Sequence, residues 1–303
     1  MYDIIIVGAG PAGLTSAIYG VRGGKSVLMI EKLSYGGQII NTPEVENYPG
    51  IGIVSGFQLA SDMYEQATKL GAEMAFGEVV SLEKSADGNF KIVTDGGEEF
   101  KAKSVILATG VKSRPLGVDR EEELTGMGIS YCATCDGPFY RNKTVAIVGG
   151  GDSAVQAAIE MSMISQKVYL LVRSRIRAAE IVVKRMYEKE NIEVLMEYIP
   201  LRTNGERKIT SLVVRNKKDE KEIELAVDGV FVEAGGIPNN SYLPKDVITN
   251  SLGEIITDKE GKTNIPGLFA AGDVTDGKNK QVIIAAGEGA AAALAAHDYL
   301  MRN

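Results

Sequence analysis

The two cysteines of this chain, Cys132 and Cys135, are separated by two residues and are the only cysteines among its 303 residues. Two thiols at this spacing can form a reversible disulfide across one turn, and in an intracellular chain such a pair is typically catalytic. Half of a zinc site is a second interpretation, but structural zinc takes about four protein ligands, and the one histidine, His297, lies far along the sequence. Two cysteines that serve only packing are a third. We favour a redox pair and expect no metal site.

Composition narrows the class of protein. A net charge of -7 and a pI near 5.1 argue against nucleic-acid binding, which needs a basic excess. The sequence contains no run of 18 apolar residues, which predicts no membrane span. The N-terminus lacks the basic start and cleavage site of a secretory signal, so we expect a cytoplasmic protein. The length favours two domains.

A dinucleotide-binding pattern occupies the N-terminus. Residues 2–7 predict a buried parallel strand, a Gly-Ala-Gly-Pro-Ala-Gly turn and a helix follow, and a second strand ends in Glu31. In such turns Gly8 makes the tight bend, Gly10 lets the backbone approach a pyrophosphate, and Gly13 lets the helix pack on the strand. The helix N-terminus offers N–H groups to phosphates, and Glu31 can accept hydrogen bonds from ribose hydroxyls.

The same pattern begins again near the middle of the chain. A buried strand over residues 144–148 precedes the turn Gly149 to Ala154, and the next strand, 168–172, ends in Arg173. An acid at this position suits a free ribose 2′-hydroxyl, whereas an arginine accommodates a 2′-phosphate. The first site is therefore predicted to be FAD-like and the second to bind NADP. The residues assigned to the second site are Gly149, Gly151, Asp152, Ser153, Ala154, Arg173 and Arg177.

The remaining segments complete an α/β pattern. Helical spacing of apolar residues covers 56–70, and β-meanders are predicted over 73–107 and 193–232. A further strand runs into an acidic turn at Asp273, which is suited to sugar or ribityl hydroxyls. The last helix, about 281–299, is rich in Ala and Gly, which permits close packing on a flat ligand or a sheet.

The chain resembles the low-molecular-weight thioredoxin reductases over essentially its whole length. The resemblance is carried by the two dinucleotide turns, by Cys-Ala-Thr-Cys-Asp-Gly at 132–137 and by Ala-Ala-Gly-Asp at 270–273. The resemblance implies two Rossmann-like, three-layer β/β/α dinucleotide-binding domains, the second inserted into the first. The FAD domain would comprise residues 1–114 and 243–303. The NAD(P)H domain with the redox pair would comprise 115–242. The hinge strands would lie at 109–112 and 235–244.

The resemblance also implies roles for individual residues. Cys135 would face the flavin, Cys132 would attack the disulfide of thioredoxin, and Asp136 would be the general acid, with a capping or turn aspartate as the alternative. The homodimer is likewise implied by the resemblance alone. The residues expected along FAD are Gly8, Gly10, Pro11, Ala12, Gly13, Glu31, Gly37, Gln38, Asn47, Thr109, Gly110, Gly272, Asp273, Lys280, Gln281 and Val282.

One departure from the family pattern concerns the 2′-phosphate site. The family has two adjacent arginines there, whereas this chain has Val172-Arg173-Ser174 and is one residue shorter before Arg177. NADPH is the expected donor, and NADH stays possible. Alternatives are a ferredoxin-driven thioredoxin reductase, a peroxiredoxin reductase, or a non-catalytic redox sensor. Because the redox pair and the second turn share one domain while the flavin belongs to the other, we predict a domain swivel between half-reactions.

Overall fold

The computed structural model describes residues 1–42 and 44–302. Its strands, in chain order, are β1 (Tyr2–Val7), β2 (Val27–Glu31), β3 (Glu73–Phe76), β4 (Val79–Lys84), β5 (Phe90–Thr94), β6 (Glu99–Leu107), β7 (Val111–Ser113), β8 (Ile129–Ser130), β9 (Thr144–Val148), β10 (Lys167–Val172), β11 (Ile192–Met196), β12 (Tyr198–Asn204), β13 (Ser211–Asn216), β14 (Glu222–Ala226), β15 (Gly229–Val232), β16 (Gly236–Pro238) and β17 (Leu268–Ala270). Its α-helices are α1 (Pro11–Arg22), α2 (Gly56–Lys69), α3 (Glu121–Leu124), α4 (Ala133–Asp136), α5 (Asp152–Ser162), α6 (Glu180–Tyr187) and α7 (Val282–Arg302). Short 3₁₀ helices cover Gly37–Asn41 and Gly137–Tyr140.

These elements form two compact units. The split unit comprises Met1–Lys112 and Ile237–Asn303, and the inserted unit comprises Ser113–Gly236. The chain passes between them within β7 and within β16. The two passages lie two and six residues before the domain boundaries expected from the sequence.

The split unit is built on a seven-stranded sheet in the order β3-β2-β1-β6-β5-β4, with β17 also paired to β6. The pairs from β3 to β6 and the β17–β6 pair are parallel, whereas β5 and β4 continue the sheet antiparallel. β1 shows why an unbroken apolar run forms its centre. Ile4 and Ile6 join the core shared with α1, α2 and α7, and Ile5 and Val7 join the core on the opposite face. Both faces of the strand are therefore covered.

The inserted unit has three layers. Five parallel strands lie in the order β11-β10-β9-β15-β8, and β12, β13 and β14 form a separate antiparallel sheet. One face of the parallel sheet packs on α5 and α6 around Val155 and Met186, and the other packs on the small sheet around Leu212 and Val214. Strand β9 alternates between them, because Val145 and Ile147 contribute to the first core and Ala146 to the second.

Both predicted meanders need correction at their ends. β3 and β11, the first strands of the two meander segments, pair in parallel with β2 and β10. β15, the last strand of the second segment, lies inside the parallel sheet beside β9. A short apolar run has the same pattern in either setting, so periodicity alone does not separate an antiparallel strand from a buried parallel one.

A separate finding concerns membranes. Across residues 1–42 and 44–302, every helix is too short or too polar to cross a lipid bilayer.

Candidate active site

The first glycine turn joins β1 to α1 at the carboxyl edge of the sheet in the split unit. Gly8 has a φ of 100°, and a Cβ there would overlap the carbonyl group of Ala108. A Cβ on Gly13 would overlap the carbonyl oxygen of Gly8. Gly10 differs, since a Cβ there would meet the Cα of Gly37 at an ordinary 3.9 Å. Two glycines are thus required by packing, while the third leaves its backbone open to a ligand.

The start of α1 and the end of β2 complete this turn. α1 begins at Pro11 without an acidic residue in its first turn, so its N–H groups and dipole favour an anion. The carboxylate of Glu31 accepts from the N–H of Ala9 at 2.8 Å and, through its other oxygen, from the N–H of Leu33 at 3.1 Å. Each oxygen keeps a further lone pair that can accept from a ribose hydroxyl. The turn therefore fits the adenosine diphosphate half of a dinucleotide.

The C-terminal Gly272-Asp273 turn lies against the start of α1. A Cβ on Gly272 would approach the Cβ of Ala12 to 2.9 Å, so the two segments are in close contact. The N–H of Gly272 donates to Glu288 Oε2 at 2.8 Å. Burial raises the pKa of Asp273, and the nearby Lys280 ammonium opposes that rise. The structure thus brings the predicted Ala12 against the predicted Gly272-Asp273 turn, although the two segments are distant in sequence.

Lys280 holds the same turn in place. Its ammonium donates to the carbonyl oxygens of Asp273 at 3.2 Å and Thr275 at 2.5 Å. It also pairs with the half-buried carboxylate of Glu254, at 3.2 Å. The positive charge of Lys280 therefore stabilises the acidic turn. Helix α7 begins at Val282, two residues after Lys280.

Other predicted residues of the split unit meet across long sequence separations. Asn47 Nδ2 donates to Gln281 Oε1 at 3.1 Å, which joins the irregular segment after β2 to the start of α7. Gln38 Nε2 donates to the carbonyl oxygen of Val111 at 2.8 Å. Gly37 lies beside Gly10 of the first turn. These contacts join predicted residues of the split unit that lie far apart in sequence.

Thr109 and Gly110 follow β6 and are bound to the segment after β16. Thr109 Oγ1 donates to the carbonyl oxygen of Asn239 at 2.7 Å and lies 3.1 Å from the buried Tyr242 hydroxyl. Asn239 in turn donates its backbone N–H to the carbonyl oxygen of Gly110 at 3.0 Å. Burial raises the pKa of Tyr242, so this hydroxyl stays protonated as a hydrogen-bonding group.

The second glycine turn joins β9 to α5 in the inserted unit. A Cβ on Gly149 would overlap the carbonyl oxygen of Glu233, which follows β15. A Cβ on Gly151, the residue before α5, would meet no described atom within 4 Å beyond its chain neighbours. Asp152 Oδ1 accepts from the N–H of Ala179 at 2.8 Å, and Ala154 is fully buried. In this turn Gly149 is required by packing, and Gly151, like Gly10 of the first turn, stays open.

The loop after β10 folds back onto this turn. The backbone N–H of Arg177 donates to the carbonyl oxygen of Gly150 at 2.6 Å. Arg173, Arg175 and Arg177 are exposed, and their guanidinium groups form no salt bridge within the described part of the chain. Three uncompensated cations beside a dinucleotide turn fit a ligand with an additional phosphate.

The redox pair lies on α4 of the same unit. Cys132 and Cys135 form a disulfide with Cα atoms 5.3 Å apart, in agreement with the redox interpretation. Cys132 is the N-cap residue of α4, and its sulfur accepts from the N–H of Cys135 at 3.1 Å. Asp136 ends the helix, and its side chain makes no capping hydrogen bond to the described residues of the following 3₁₀ helix. Over residues 1–42 and 44–302, no cluster of His, Cys, Asp and Glu is arranged to hold a metal ion.

Two half-buried acids at these sites escaped the sequence analysis. Burial raises the pKa of Glu288, which accepts from the Gly272 N–H, although that hydrogen bond itself lowers it. Burial also raises the pKa of Glu233 to about 7. Their sequence signals are weak, because Glu288 is an isolated acid within the Ala- and Gly-rich part of a helix and Glu233 is an acid directly after a buried strand.

Comparison with known proteins agrees with this geometry. The family model described as pyridine nucleotide-disulphide oxidoreductase matches residues 2–289. Thioredoxin reductase of Listeria innocua is 41% identical over 303 residues, covering 99% of this chain and 94% of the relative. Thioredoxin reductase of Treponema pallidum is 42% identical over 301 residues, covering 99% and 97%. The crystal structure of Lactococcus lactis thioredoxin reductase matches with a TM-score of 0.97 at 39% identity and covers 100% of both chains.

These matches define an oxidoreductase that couples a pyridine nucleotide to a disulfide. The chain belongs to the pyridine nucleotide-disulphide oxidoreductase family. Relatives that match it over 99% of its length include thioredoxin reductases, so the family and the fold class predicted from the sequence are confirmed.

Proposed function

We propose that this chain is a thioredoxin reductase in which electrons pass from NADPH through FAD to the Cys132–Cys135 disulfide and then to oxidised thioredoxin. The observation that carries this proposal is the disulfide itself, which lies on α4 in the same unit as the second dinucleotide turn. The inserted unit then carries the nicotinamide site and the disulfide, and the dinucleotide turn of the split unit carries the FAD site. Each electron transfer therefore has a donor site and an acceptor site.

The split unit is assigned to FAD. Its first turn offers an open α1 N-terminus for the pyrophosphate and Glu31 for the ribose. Asp273, held by Lys280 and next to Ala12, is suited to bind the ribityl hydroxyls. When bound, FAD accepts a hydride from the nicotinamide and passes two electrons to a disulfide.

The inserted unit is assigned to the nicotinamide nucleotide. The α5 N-terminus after Gly151 is open to the pyrophosphate, and Arg173 and Arg177 supply charge for a 2′-phosphate. Arg175, on the same loop, adds a third guanidinium in place of the missing adjacent arginine. These uncompensated cations favour NADPH over NADH.

The thiol chemistry follows from α4. After reduction, the Cys132 thiolate attacks the disulfide of thioredoxin and forms a mixed disulfide, which Cys135 resolves. The N–H of Cys135 that donates to Cys132 Sγ stabilises a thiolate at that atom. Asp136, one residue further along, donates the proton that the leaving thiolate of thioredoxin requires. The exposed ring of Phe139, 74% accessible, offers an apolar contact for a protein partner beside the disulfide.

Conformational exchange is part of the proposal. The nicotinamide and the disulfide both react with the flavin and cannot occupy its face together, so the inserted unit swivels between two states about β7 and β16. A lysine-reactive cross-link between the units, mapped by mass spectrometry, should stop turnover while sparing one half-reaction. Full turnover after cross-linking would contradict the swivel.

The homodimer and the cytoplasmic location belong to the same proposal. Both come from the family likeness. Large apolar side chains left exposed in the split unit, such as Leu33, Ile53 and Phe57, are consistent with a subunit interface there. Sedimentation of the purified holoenzyme would measure the subunit number directly.

The test of the proposed function is anaerobic stopped-flow reduction of the bound flavin by NADPH and, separately, by NADH. Fast bleaching by NADPH followed by reduction of thioredoxin is the expected result. Faster bleaching by NADH would show that the shortened loop has changed the donor. Slow bleaching by both would refute the nicotinamide assignment and favour the ferredoxin-driven alternative.

A further inference from the structure

Glu233 occupies the point in the inserted sheet where the strand order reverses. From β9 the chain continues to β10 on one side, whereas β15 and β8 lie on the other. Val232 of β15 is opposite Val148 of β9, and the N–H of Glu233 donates to the carbonyl oxygen of Val148 at 2.8 Å. Glu233 therefore follows its strand directly beside Gly149. In sheets of this kind, dinucleotides bind in the crevice at this reversal.

The side chain of Glu233 is turned towards the nucleotide turn. Its carboxyl lies near the hydroxyl of Ser153, in the first turn of α5. Burial raises the pKa of Glu233 to about 7, the nearby Ser153 hydroxyl opposes the rise, and the Glu160 carboxylate adds to it. The carboxyl is therefore poised between its neutral and charged forms near neutral pH.

The groups around the Glu233 carboxyl come from α5 and from the neighbouring strands. On α5 they are Ser153 and Glu160, while the carboxylate of Asp152 accepts from Ala179. The neighbouring strands β8 and β9 contain no charged residue in their sequences. Glu160 in turn lies 3.4 Å from the hydroxyl of Thr134, between the two cysteines. No cation is among the groups of the described chain that act on this carboxyl.

We propose that Glu233 is a proton-linked binding residue for the nicotinamide nucleotide, so that the protein takes up one proton at Glu233 when the nucleotide binds. This inference rests on the proposed function of the second turn. A charged Glu233 would face the anionic pyrophosphate and hold the Ser153 hydroxyl as its own donor. A neutral Glu233 removes the repulsion and frees that hydroxyl for the ligand. The proton comes from the buffer, and no bond other than O–H is made or broken.

The direction of the pH dependence follows from this linkage. The nucleotide binds the neutral form, so affinity is highest below the pKa of free Glu233 and weakens as the pH rises through it. Above that pKa, each pH unit weakens binding by up to about tenfold until the pKa of the bound state is reached. The 2′-phosphate ionises near pH 6, so measurements from about pH 7 to 9 exclude its titration.

The experiment is isothermal titration of the oxidised FAD-loaded enzyme with NADP⁺, and in parallel with NAD⁺, across this pH range. At pH 8, buffers of different ionisation enthalpy report the protons taken up. For the wild type we expect about tenfold weaker NADP⁺ binding at pH 8.5 than at pH 7, with proton uptake. Glu233→Gln should bind with little pH dependence and take up no proton at this position. Glu190→Gln, which removes an exposed acid of the same unit, is the control and should behave like the wild type.

Two results would overturn the inference: an unchanged pH slope in Glu233→Gln, or a flat profile in the wild type. Glu160→Gln keeps the test usable if Glu233→Gln misfolds. Removing this like charge lowers the pKa of Glu233, so the loss of affinity should begin at a lower pH, and an unmoved profile would also contradict the inference. Absence of NADP⁺ binding at every pH would instead refute the second dinucleotide site, and the proposed function with it.

Discussion

Replacing Arg173 and Arg177 with alanine should reduce the preference for NADPH over NADH while leaving the use of NADH unchanged. Both guanidinium groups are free of acidic partners in the described part of the chain, and the backbone of Arg177 is held to the glycine turn by Gly150. Removing either cation should therefore leave the loop in place. NADH lacks the 2′-phosphate and loses nothing when these cations are removed.

The size of the effect follows from exposure. Two unit charges 4 Å apart interact by about 1 kcal/mol in bulk water and about 4 kcal/mol near a protein surface. Because these side chains reach solvent and are screened by salt, the lower figure applies. About 1 kcal/mol corresponds to roughly a fivefold loss in kcat/KM for NADPH per arginine. The double variant should lose about 25-fold if the two contributions add.

The assay is the ratio of kcat/KM for NADPH to kcat/KM for NADH, measured at low and high ionic strength. Arg207→Ala removes an exposed arginine of the same unit outside this loop and serves as the control. The wild-type ratio should fall with added salt, and the ratio of the double variant should change less. A ratio that stays the same in the double variant, or an equal loss with NADH, would refute the role given to these arginines.

Three further predictions concern the general acid, the contact with thioredoxin and the FAD site. Asp136→Asn should slow the thioredoxin-linked step by about 10²-fold or more while flavin reduction by NADPH is unchanged; stopped-flow traces of the two half-reactions check this, and equal slowing of both would count against the acid role. Phe139→Ala should raise KM for thioredoxin by about tenfold with the KM for NADPH unchanged, and steady-state kinetics with varied thioredoxin would expose an unaltered KM. Glu288→Ala leaves the Gly272 N–H without its acceptor and should weaken FAD retention by about 1–3 kcal/mol, whereas Glu288→Gln keeps an acceptor and should retain most of it. Titration of apoprotein with FAD separates these two variants, and equal retention would show that the bond is dispensable.

Local sequence was sufficient to predict the functional features that lie within short motifs. The two glycine turns, the acid or arginine that ends the following strand, and the Cys132–Cys135 spacing each lie within a few tens of residues. The steric constraint on Gly13 arises within the strand–turn–helix connection, because a Cβ there would overlap the carbonyl oxygen of Gly8. The constraints on Gly8 and Gly149 involve carbonyl groups at the ends of other strands, so they depend on the folded sheet. The α/β pattern with two dinucleotide turns followed from repetition of the strand–turn–helix connection, whereas the insertion of one domain into the other was implied by the family resemblance.

Other features depended on contacts that no local pattern encodes. Asn47 meets Gln281 across 234 positions, and Gly272 meets both Ala12 and Glu288 only after α1 and α7 pack together. The parallel placement of β3, β11 and β15 was missed for the same reason, because strand pairing is chosen by the partner and not by the strand.

The sequence by itself determined which kinds of cofactor this protein can hold and which atoms exchange electrons, because those capacities reside in short motifs with their own backbone requirements. Tertiary structure alone decided the surroundings of those motifs. It left Glu233 and Glu288 half-buried beside two backbone turns, and this partial burial, which raises their pKa values, is a property of the assembled core. It also placed the Lys280 ammonium at the Asp273 turn. A flexible lysine side chain binds the carbonyl oxygens and the carboxylate that folding brings within hydrogen-bonding distance.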